Sequence, residues 1–441
     1  MLVRLRVPIA SNMKKIPLLL TSLALCSVLH ASPTEVREWN TSSGHKAKAS
    51  ATQVKDGTVY LKMDNGKTVK LDMSKLVEAD QKFIQKHFAI PDATTPAPGS
   101  DAKQAEGLAY PLGQMQGPID AGGGSSYFVY LPKSLKQDRP APLIFFCAPW
   151  GAKNAGFIKG MTDVADRFGW VVALSVNSSN GKGSVNNAKA NTKHCKNSLD
   201  HLFSTLPLDE QRLHFAGHSG GGAQSFINTT IRPAYGVMPS AAYLLSGLSP
   251  RAEVVYGIGG GYDFNRYVTA QAVSRFRRNG FHRISPKGHP RAADSYREDG
   301  IFWMNCRYLG EEKENHEEES KDFEYASLIW LKELQESNAM RAYSNAVVLR
   351  DYYQPEGHNA TVLQLLISEL EKAPDNKTYH EALLALDELS EKYLTDSGGG
   401  SSMRRFDAKL AKQAEKLGET YGHIPEVAAI LEALKKKTDG L

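Results

Sequence analysis

The chain carries the sequence Arg-Leu-His-Phe-Ala-Gly-His-Ser-Gly-Gly-Gly-Ala at residues 212–223. The apolar run Arg212–Ala216 leads into a glycine-framed serine, and Gly221–Ile227 then opens a helical pattern. In a G-x-S-x-G motif the outer glycines permit a sharp turn, because a side chain at either position would collide with the neighbouring strand or helix. The stretch therefore predicts a strand, a strained turn and a helix, with Ser219 as a nucleophile. The alternative is a glycine-rich turn with an incidental serine.

Working outward, the centre of the chain contains further short apolar runs that predict strands. They are Tyr127–Pro132, Pro142–Phe146, Trp170–Leu174 and Val254–Ile258. Helical patterns separate these runs, and such an alternation is typical of a mainly parallel sheet that is buried on both faces. The predicted fold class is α/β, with helices on both faces of the sheet.

A serine nucleophile needs an acid and a base, and in a fold of this type they follow the serine in that order. The acid is expected just beyond the strand that follows, and Asp263 is the only carboxylate in the loop after Val254–Ile258. We therefore predict Asp263 as the acid. It could instead cap a helix that begins near Asn265, and Asp294 and Asp299 are poorer substitutes.

The base is expected on a loop between a last strand and a final helix. His289 satisfies this, because it follows the strand-like run Phe281–Ser285 and precedes the helical pattern Asp294–Leu309. The rival is His358, which would require residues between 311 and 345 to be an insertion. Two further histidines have other expected positions: His282 within a strand and His218 beside the serine.

The oxyanion formed in acyl transfer needs two backbone amides. The Gly220 amide, at the start of the helix after Ser219, is one predicted donor. The second is expected from the loop Cys147–Ala152. Because Pro149 has no N–H, Trp150 or Gly151 is the predicted donor there.

From Tyr127–Pro132 through Gly-His-Ser-Gly-Gly-Gly to the Gly288-His289 loop, residues 121–310 resemble an α/β-hydrolase group. This group comprises polyhydroxybutyrate depolymerases and feruloyl and acetyl esterases. The resemblance implies a serine hydrolase that forms an acyl-enzyme and needs no metal or organic cofactor. One departure concerns the oxyanion loop, where Ala148-Pro149-Trp150-Gly151 stands in place of the His-Gly common in those families.

The resulting hypothesis is an exported carboxylic ester hydrolase. Its substrate would be a small-molecule or polymeric ester, with acylated polysaccharide and polyester as the polymer classes. Two alternatives remain at this point. One is a serine peptidase of the same fold, and the other is a non-catalytic binding protein built on a hydrolase scaffold.

The N-terminus has the order of a secretory signal. Lys14-Lys15 precedes an apolar run that begins at Ile16, and the small residues Ala31-Ser32 follow. We predict a signal peptide over residues 1–31, cleavage after Ala31 and a periplasmic or secreted protein. The apolar run is short for a lasting anchor, so no stable membrane insertion is expected after cleavage. An uncleaved anchor or a buried helix is the alternative, and Met13 is an alternative start to Met1.

Composition divides the remaining chain into four regions. Residues 34–88 contain alternating runs around Asp64-Asn65-Gly66 and resemble the small SH3-like barrel at the front of many exported bacterial hydrolases. Residues 89–120 have a linker composition rich in Pro, Ala and Gly. Residues 121–310 form the predicted catalytic domain, and residues 311–441 a helical C-terminal region.

Overall composition limits the classes of function. The 441 residues are 41% hydrophobic and 23% charged, which supports a sizeable core and argues against global disorder. The net charge of +5 is small and scattered, so no nucleic-acid partner is expected. Cys26 would leave with the signal. The remaining cysteines, Cys147, Cys195 and Cys306, match no zinc pattern and allow one intramolecular disulfide at most, with its pairing undetermined.

Overall fold

The computed structural model describes residues 34, 36–42, 44–55, 58–63, 65–87, 107–181, 187–289, 293–394 and 401–436. The predicted signal peptide (1–31), the last residue of the predicted β domain (88) and residues 89–106 of the predicted linker lie outside them. The chain forms two compact units, divided between Ala97 and Pro98. Within the described ranges, no helix combines the length and apolar character needed to cross a membrane.

The first unit is a small antiparallel sheet followed by a helix. Its strands run in sequence order and are β1 (Arg37–Asn40), β2 (Lys46–Lys55), β3 (Thr58–Met63) and β4 (Thr68–Asp72), and its helix is α1 (Glu78–His87). The turn between β3 and β4 contains Gly66 at φ 79°, a backbone conformation that glycine adopts without steric penalty. Trp39, Leu61 and Ile84 form the centre of its core. The unit is thus a small β structure, and its likeness to an SH3-like barrel stays a prediction.

The second unit is built on an eight-stranded sheet. Its strands are β5 (Met115–Asp120), β6 (Ser126–Tyr130), β7 (Ala141–Cys147), β8 (Val171–Ser175), β9 (Leu208–His218), β10 (Ala234–Ser240), β11 (Ala252–Gly260) and β12 (Gly280–Ser285). Their spatial order is β12-β11-β10-β9-β7-β8-β6-β5, and β6 pairs antiparallel with both of its neighbours while the other pairs are parallel. The predicted α/β fold with a mainly parallel sheet is confirmed.

Eleven helices are described in the second unit. They are α2 (Thr162–Phe168), α3 (Ala188–Thr205), α4 (Gly220–Asn228), α5 (Arg266–Ser274), α6 (Asp294–Glu311), α7 (Glu317–Ser337), α8 (Ala339–Val348), α9 (Gly357–Leu370), α10 (Pro374–Leu389), α11 (Ser401–Tyr421) and α12 (Pro425–Lys435). Short π-helical turns at Leu349–Tyr353 and Ser390–Leu394 follow α8 and α10.

Helices cover both faces of the sheet. On one face α3 packs Leu199 and Leu202 against Phe145 and Phe215. On the other, α6 packs against β10 and β11, and α7 packs against α2, with Phe302 of α6 and Trp330 of α7 in ring contact at 4.8 Å. Because helices cover both faces, the central strands β7 and β8 are apolar and buried along almost their whole length.

The helices after residue 311 belong to the same compact unit as the sheet. Residues of α7, α8 and α9 share one hydrophobic core with the sheet. The helices α10, α11 and α12 form another core with Tyr267 of α5 and Ile284 of β12. The C-terminal helices therefore pack directly beside the strand ends that precede the predicted acid and base.

Candidate active site

Ser219 lies in the turn between β9 and α4, at φ 53° and ψ −124°. A non-glycine residue seldom adopts a positive φ, and such strain concentrates at functional sites. The two glycines of the motif make the turn sterically feasible. A methyl group on Gly217 would collide with the backbone of Gly221, and one on Gly221 would collide with the carbonyl of Cys147. The Ser219 amide donates to the Ser240 carbonyl at 2.8 Å, which fixes the turn to β10.

The structure brings Ser219, His289 and Asp263 together. Nε2 of His289 is 2.9 Å from the Ser219 hydroxyl oxygen, and Nδ1 is 3.0 Å from Oδ1 of Asp263. A carboxylate beside Nδ1 holds the proton there and leaves Nε2 to accept the serine proton. The Asp263 side chain is fully buried, whereas that of His289 is 31% exposed and so within reach of a substrate.

The chain places these three residues at the same edge of the sheet for a simple reason. Ser219 follows β9, Asp263 follows β11 and His289 follows β12, and these strands are parallel. The carboxyl ends of parallel strands meet along one edge, so residues distant in sequence become neighbours.

The rival candidates lie elsewhere or have other partners. His358 is an exposed residue in the first turn of α9. Asp294 pairs with Arg297, and Asp299 pairs with Arg341. His282 is buried in β12, where burial lowers its pKa to about 4, so it stays neutral at physiological pH.

The predicted oxyanion loop lies beside the serine turn, because Cys147 at its start pairs in register with Gly217. Within this loop the Gly151 amide donates to the Ala148 carbonyl at 3.1 Å and is thereby engaged. The Trp150 amide makes no hydrogen bond to any residue that the structure describes. Of the two donors predicted in this loop, Trp150 is therefore the remaining candidate.

The loop after β8 supports the oxyanion loop, and sequence reasoning missed it. The Ser178 hydroxyl lies 3.1 Å from the Ala148 amide and 3.2 Å from the Ala148 carbonyl. The Asn180 amide donates to the Pro149 carbonyl at 2.6 Å, and its side chain lies where a methyl group on Gly220 would be. No local pattern marks these contacts, since they depend on strand order.

Sequence reasoning also missed the groups that hold the acid and base. The ring of Phe264 stacks on that of His289 with centroids 4.2 Å apart, which restricts rotation of the imidazole. The Asn265 amide donates to Oδ1 of Asp263 at 2.7 Å, and its side chain donates to the Ala241 carbonyl at 2.7 Å. An aspartate whose carboxylate accepts from the backbone amide two residues later is a local signal of such a turn.

Aromatic side chains form one side of the site. The indole of Trp150 is 62% exposed, and it contacts the rings of Phe157 and His218 at 5.9 and 6.1 Å. His218 in turn lies 5.0 Å from His289. An exposed indole beside a nucleophile offers a substrate a large apolar surface.

Taken together, the groups form a hydroxyl, an imidazole within hydrogen-bond distance of it and a carboxylate that orients the imidazole. Such an arrangement can move the serine proton to the imidazole as Oγ bonds to an electrophilic carbon. It can then return the proton to a leaving group. This is the chemistry of acyl transfer to serine.

No protein-family model matches the chain, and neither does any curated protein. Solved structures similar to it include esterase PE8, at 14% identity over 40% of this chain and 96% of that one, with a TM-score of 0.34. They also include pOPH, at 13% identity over 44% and 85% of the two chains, with a TM-score of 0.35. A third is an acetyl xylan esterase from Aspergillus awamori, at 12% identity over 37% and 80%, with a TM-score of 0.30. At these values the likeness carries no conclusion about what this chain does.

Proposed function

We propose that this protein is a serine hydrolase that cleaves carboxylic esters through an acyl-enzyme on Ser219. One observation carries the proposal: His289 bridges Ser219 and Asp263 at 2.9 and 3.0 Å, with the serine in a strained turn at the end of β9. A serine that merely occupied a turn would need neither the strain nor a histidine oriented by a buried carboxylate.

The mechanism has two steps. Oγ of Ser219 attacks the ester carbonyl while Nε2 of His289 takes its proton, and Asp263 stabilises the imidazolium. The amides of Gly220 and Trp150 stabilise the oxyanion, and the alcohol leaves with the proton from Nε2. Water then gives a proton to Nε2 and attacks the acyl-enzyme, which releases the acid and restores Ser219.

The setting proposed for this reaction is outside the cytoplasm. The signal-like order at residues 1–31 supports export, and an exported esterase meets acylated polysaccharides and polyesters as substrates. The exposed Trp150 indole suits both classes, because it can contact a sugar ring or an apolar polymer chain.

The acyl-enzyme can be tested by partitioning. We expect 4-nitrophenyl acetate and phenyl acetate, hydrolysed with added methanol, to give one ratio of methyl acetate to acetate. The two substrates give the same ratio of methyl acetate to acetate if each forms the same acetyl-enzyme. The leaving group has then already departed when methanol and water compete for that intermediate. A ratio that changes with the leaving group would contradict an acyl-enzyme.

Two paired comparisons test which histidine is the base and whether the enzyme cleaves esters or amides. His289→Ala should lower kcat/KM by about 10³-fold or more, and His358→Ala should leave it unchanged. The reverse result would make His358 the base. The enzyme should hydrolyse an ester and leave the anilide with the same acyl group uncleaved, and anilide cleavage that is lost in Ser219→Ala would indicate a peptidase.

A further inference from the structure

Arg266 is a fully buried arginine three residues after the predicted acid, at the start of α5. Its Nη1 donates to the Gly261 carbonyl at 2.7 Å. Its Nη2 donates to the hydroxyl of Tyr267 at 3.1 Å. A buried guanidinium is tolerated only where several acceptors surround it, so these contacts define its position closely.

The same guanidinium also holds the end of the C-terminal helix. Nη1 lies 3.2 Å from the carbonyl of Lys436 and 3.5 Å from that of Leu434. The last carbonyls of a helix lack partners within the helix and carry partial negative charge. A cation at this place therefore satisfies groups at the end of α12 that would otherwise need water.

The loop from Gly260 to Asn265, here called the acid loop, is packed without spare room. The Gly261 amide donates to the Ser285 carbonyl at 2.8 Å, and the Arg266 amide donates to the Asp263 carbonyl at 3.0 Å. A methyl group on Gly261 would lie 2.7 Å from Cβ of Ala433 in α12. A displacement of α12 would therefore be transmitted to the backbone that carries the Asp263 carboxylate.

We propose that Arg266 is a positioning residue, which couples the C-terminal helix α12 to the acid loop and so sets the distance between Asp263 and His289. The C-terminal helix then belongs to the catalytic apparatus although it contributes no catalytic residue. This inference rests on the proposed function.

Arg266→Met keeps most of the side-chain volume and removes the donors to Gly261, Leu434 and Lys436. We expect kcat/KM for 4-nitrophenyl acetate to fall about 10- to 100-fold, because a shift of about 1 Å at a catalytic group has an effect of that size. The acidic limb of the kcat/KM–pH profile should move to lower pH, since a displaced Asp263 stabilises the imidazolium less. Arg266→Lys, with a charge but a different shape, should lie between the wild type and Arg266→Met.

A matched control separates positioning from loss of stability. Arg212 is also fully buried and is bonded to Glu319 and to Asn305, but it lies near the middle of β9, whereas Ser219 follows the end of that strand. Arg212→Met should lower the Tm and leave the acidic limb where it is. If Arg266→Met lowers activity with an unmoved acidic limb, as in Arg212→Met, its role is structural only and the inference fails.

A second pair of variants tests the coupling without touching the arginine. Gly261→Ala should lower kcat/KM and move the acidic limb, and adding Ala433→Gly should restore both, because the colliding methyl group is gone. No recovery in the double variant would contradict coupling through α12. A different result would contradict the proposed function itself: a wild-type protein that neither hydrolyses esters nor reacts with a fluorophosphonate.

Discussion

The backbone of Ser219, at φ 53° and ψ −124°, is held by close packing of the glycines around it. Gly221→Ala should lower kcat/KM by about 10²-fold or more, because the new methyl group collides with the Cys147 carbonyl and displaces the nucleophile. Gly418→Ala is the matched control. Gly418 lies within α11, and its new methyl group would be 4.0 Å from the nearest side-chain atom, on Leu431. Activity should therefore persist, and the free energy of unfolding should rise by about 1 kcal/mol because alanine favours a helix more than glycine does. Equal activity in both variants would contradict a strained nucleophile.

In the proposed mechanism Asp263 supplies the negative charge that stabilises the imidazolium of His289. Asp263→Asn keeps the size of the side chain and removes the charge, so kcat should fall on the order of 10³- to 10⁴-fold while the Tm changes little. Steady-state kinetics and thermal unfolding measure the two effects. Asp294→Asn, in the rival carboxylate that pairs with Arg297, should retain activity. A large loss of kcat in Asp294→Asn, with Asp263→Asn unaffected, would make Asp294 the acid.

Among single residues, the sequence predicts the three candidate catalytic residues at strand ends better than it predicts the residues that contact and orient them. Ser219, Asp263 and His289 each follow an apolar run, so chain order alone suggested their roles. Ser178 and Phe264 have no such pattern. Their contacts with the Ala148 backbone and the His289 ring depend on how separate loops meet in space.

At the scale of elements, the sequence analysis missed one central strand. β10, with the sequence Ala-Tyr-Gly-Val-Met-Pro-Ser, lies between β9 and β11, although Gly and Pro are depleted in strands. Close packing explains the glycine, because a methyl group on Gly236 would lie 2.5 Å from the sulfur of Met304 and 2.7 Å from the His214 ring. Tertiary packing therefore overrides local propensity here.

Two elements carry a pair of buried cysteines. Cys147 at the end of β7 and Cys195 on α3 have their sulfur atoms 3.8 Å apart, and burial together with the Cys195 thiol raises the pKa of the Cys147 thiol. Because buried thiols with a raised pKa react slowly, we expect the two cysteines to form a disulfide during folding, before they are buried. Each thiol gives up a proton and an electron, and a low-molecular-weight disulfide such as oxidised glutathione is reduced to two thiols.

We therefore expect a Cys147–Cys195 disulfide in protein refolded with oxidised glutathione, and a thiol at Cys306. Peptide mapping by mass spectrometry without reduction measures both. A link that involves Cys306, or alkylation of all three cysteines after oxidative refolding, would contradict this pairing.

The contact between α10 and β12 predicts a pH effect on stability. Burial raises the pKa of Asp387 to about 6, and the amide of His282, which donates at 2.8 Å, opposes that rise. The folded protein thus holds this proton more tightly than the unfolded chain, so stability is lost as pH rises from about 4 to about 6. Asp387→Asn should be more stable than the wild type by about 3 kcal/mol at pH 7.5 and nearly equal to it near pH 4. Urea unfolding at the two pH values tests this, and a pH-independent difference would contradict it.

At the scale of the whole molecule, the prediction concerns the N-terminal segment. If residues 1–31 are a signal peptide, expression in a bacterial host should deliver a periplasmic protein that begins at Ser32. Intact mass and N-terminal peptide mapping of the periplasmic fraction test this. Replacing Lys14 and Lys15 by Glu should retain the precursor in the cytoplasm. A wild-type protein that keeps residues 1–31 and stays in the cytoplasm would contradict export.

The claim on which the account depends is that Ser219 is an activated nucleophile. Fluorophosphonates react only with serines that a neighbouring base activates, and they leave a covalent adduct that mass spectrometry can locate. We predict one adduct per wild-type chain, on the peptide that contains Ser219, and none in Ser219→Ala. A folded wild-type protein that stays unlabelled, or an adduct on another serine, would contradict it.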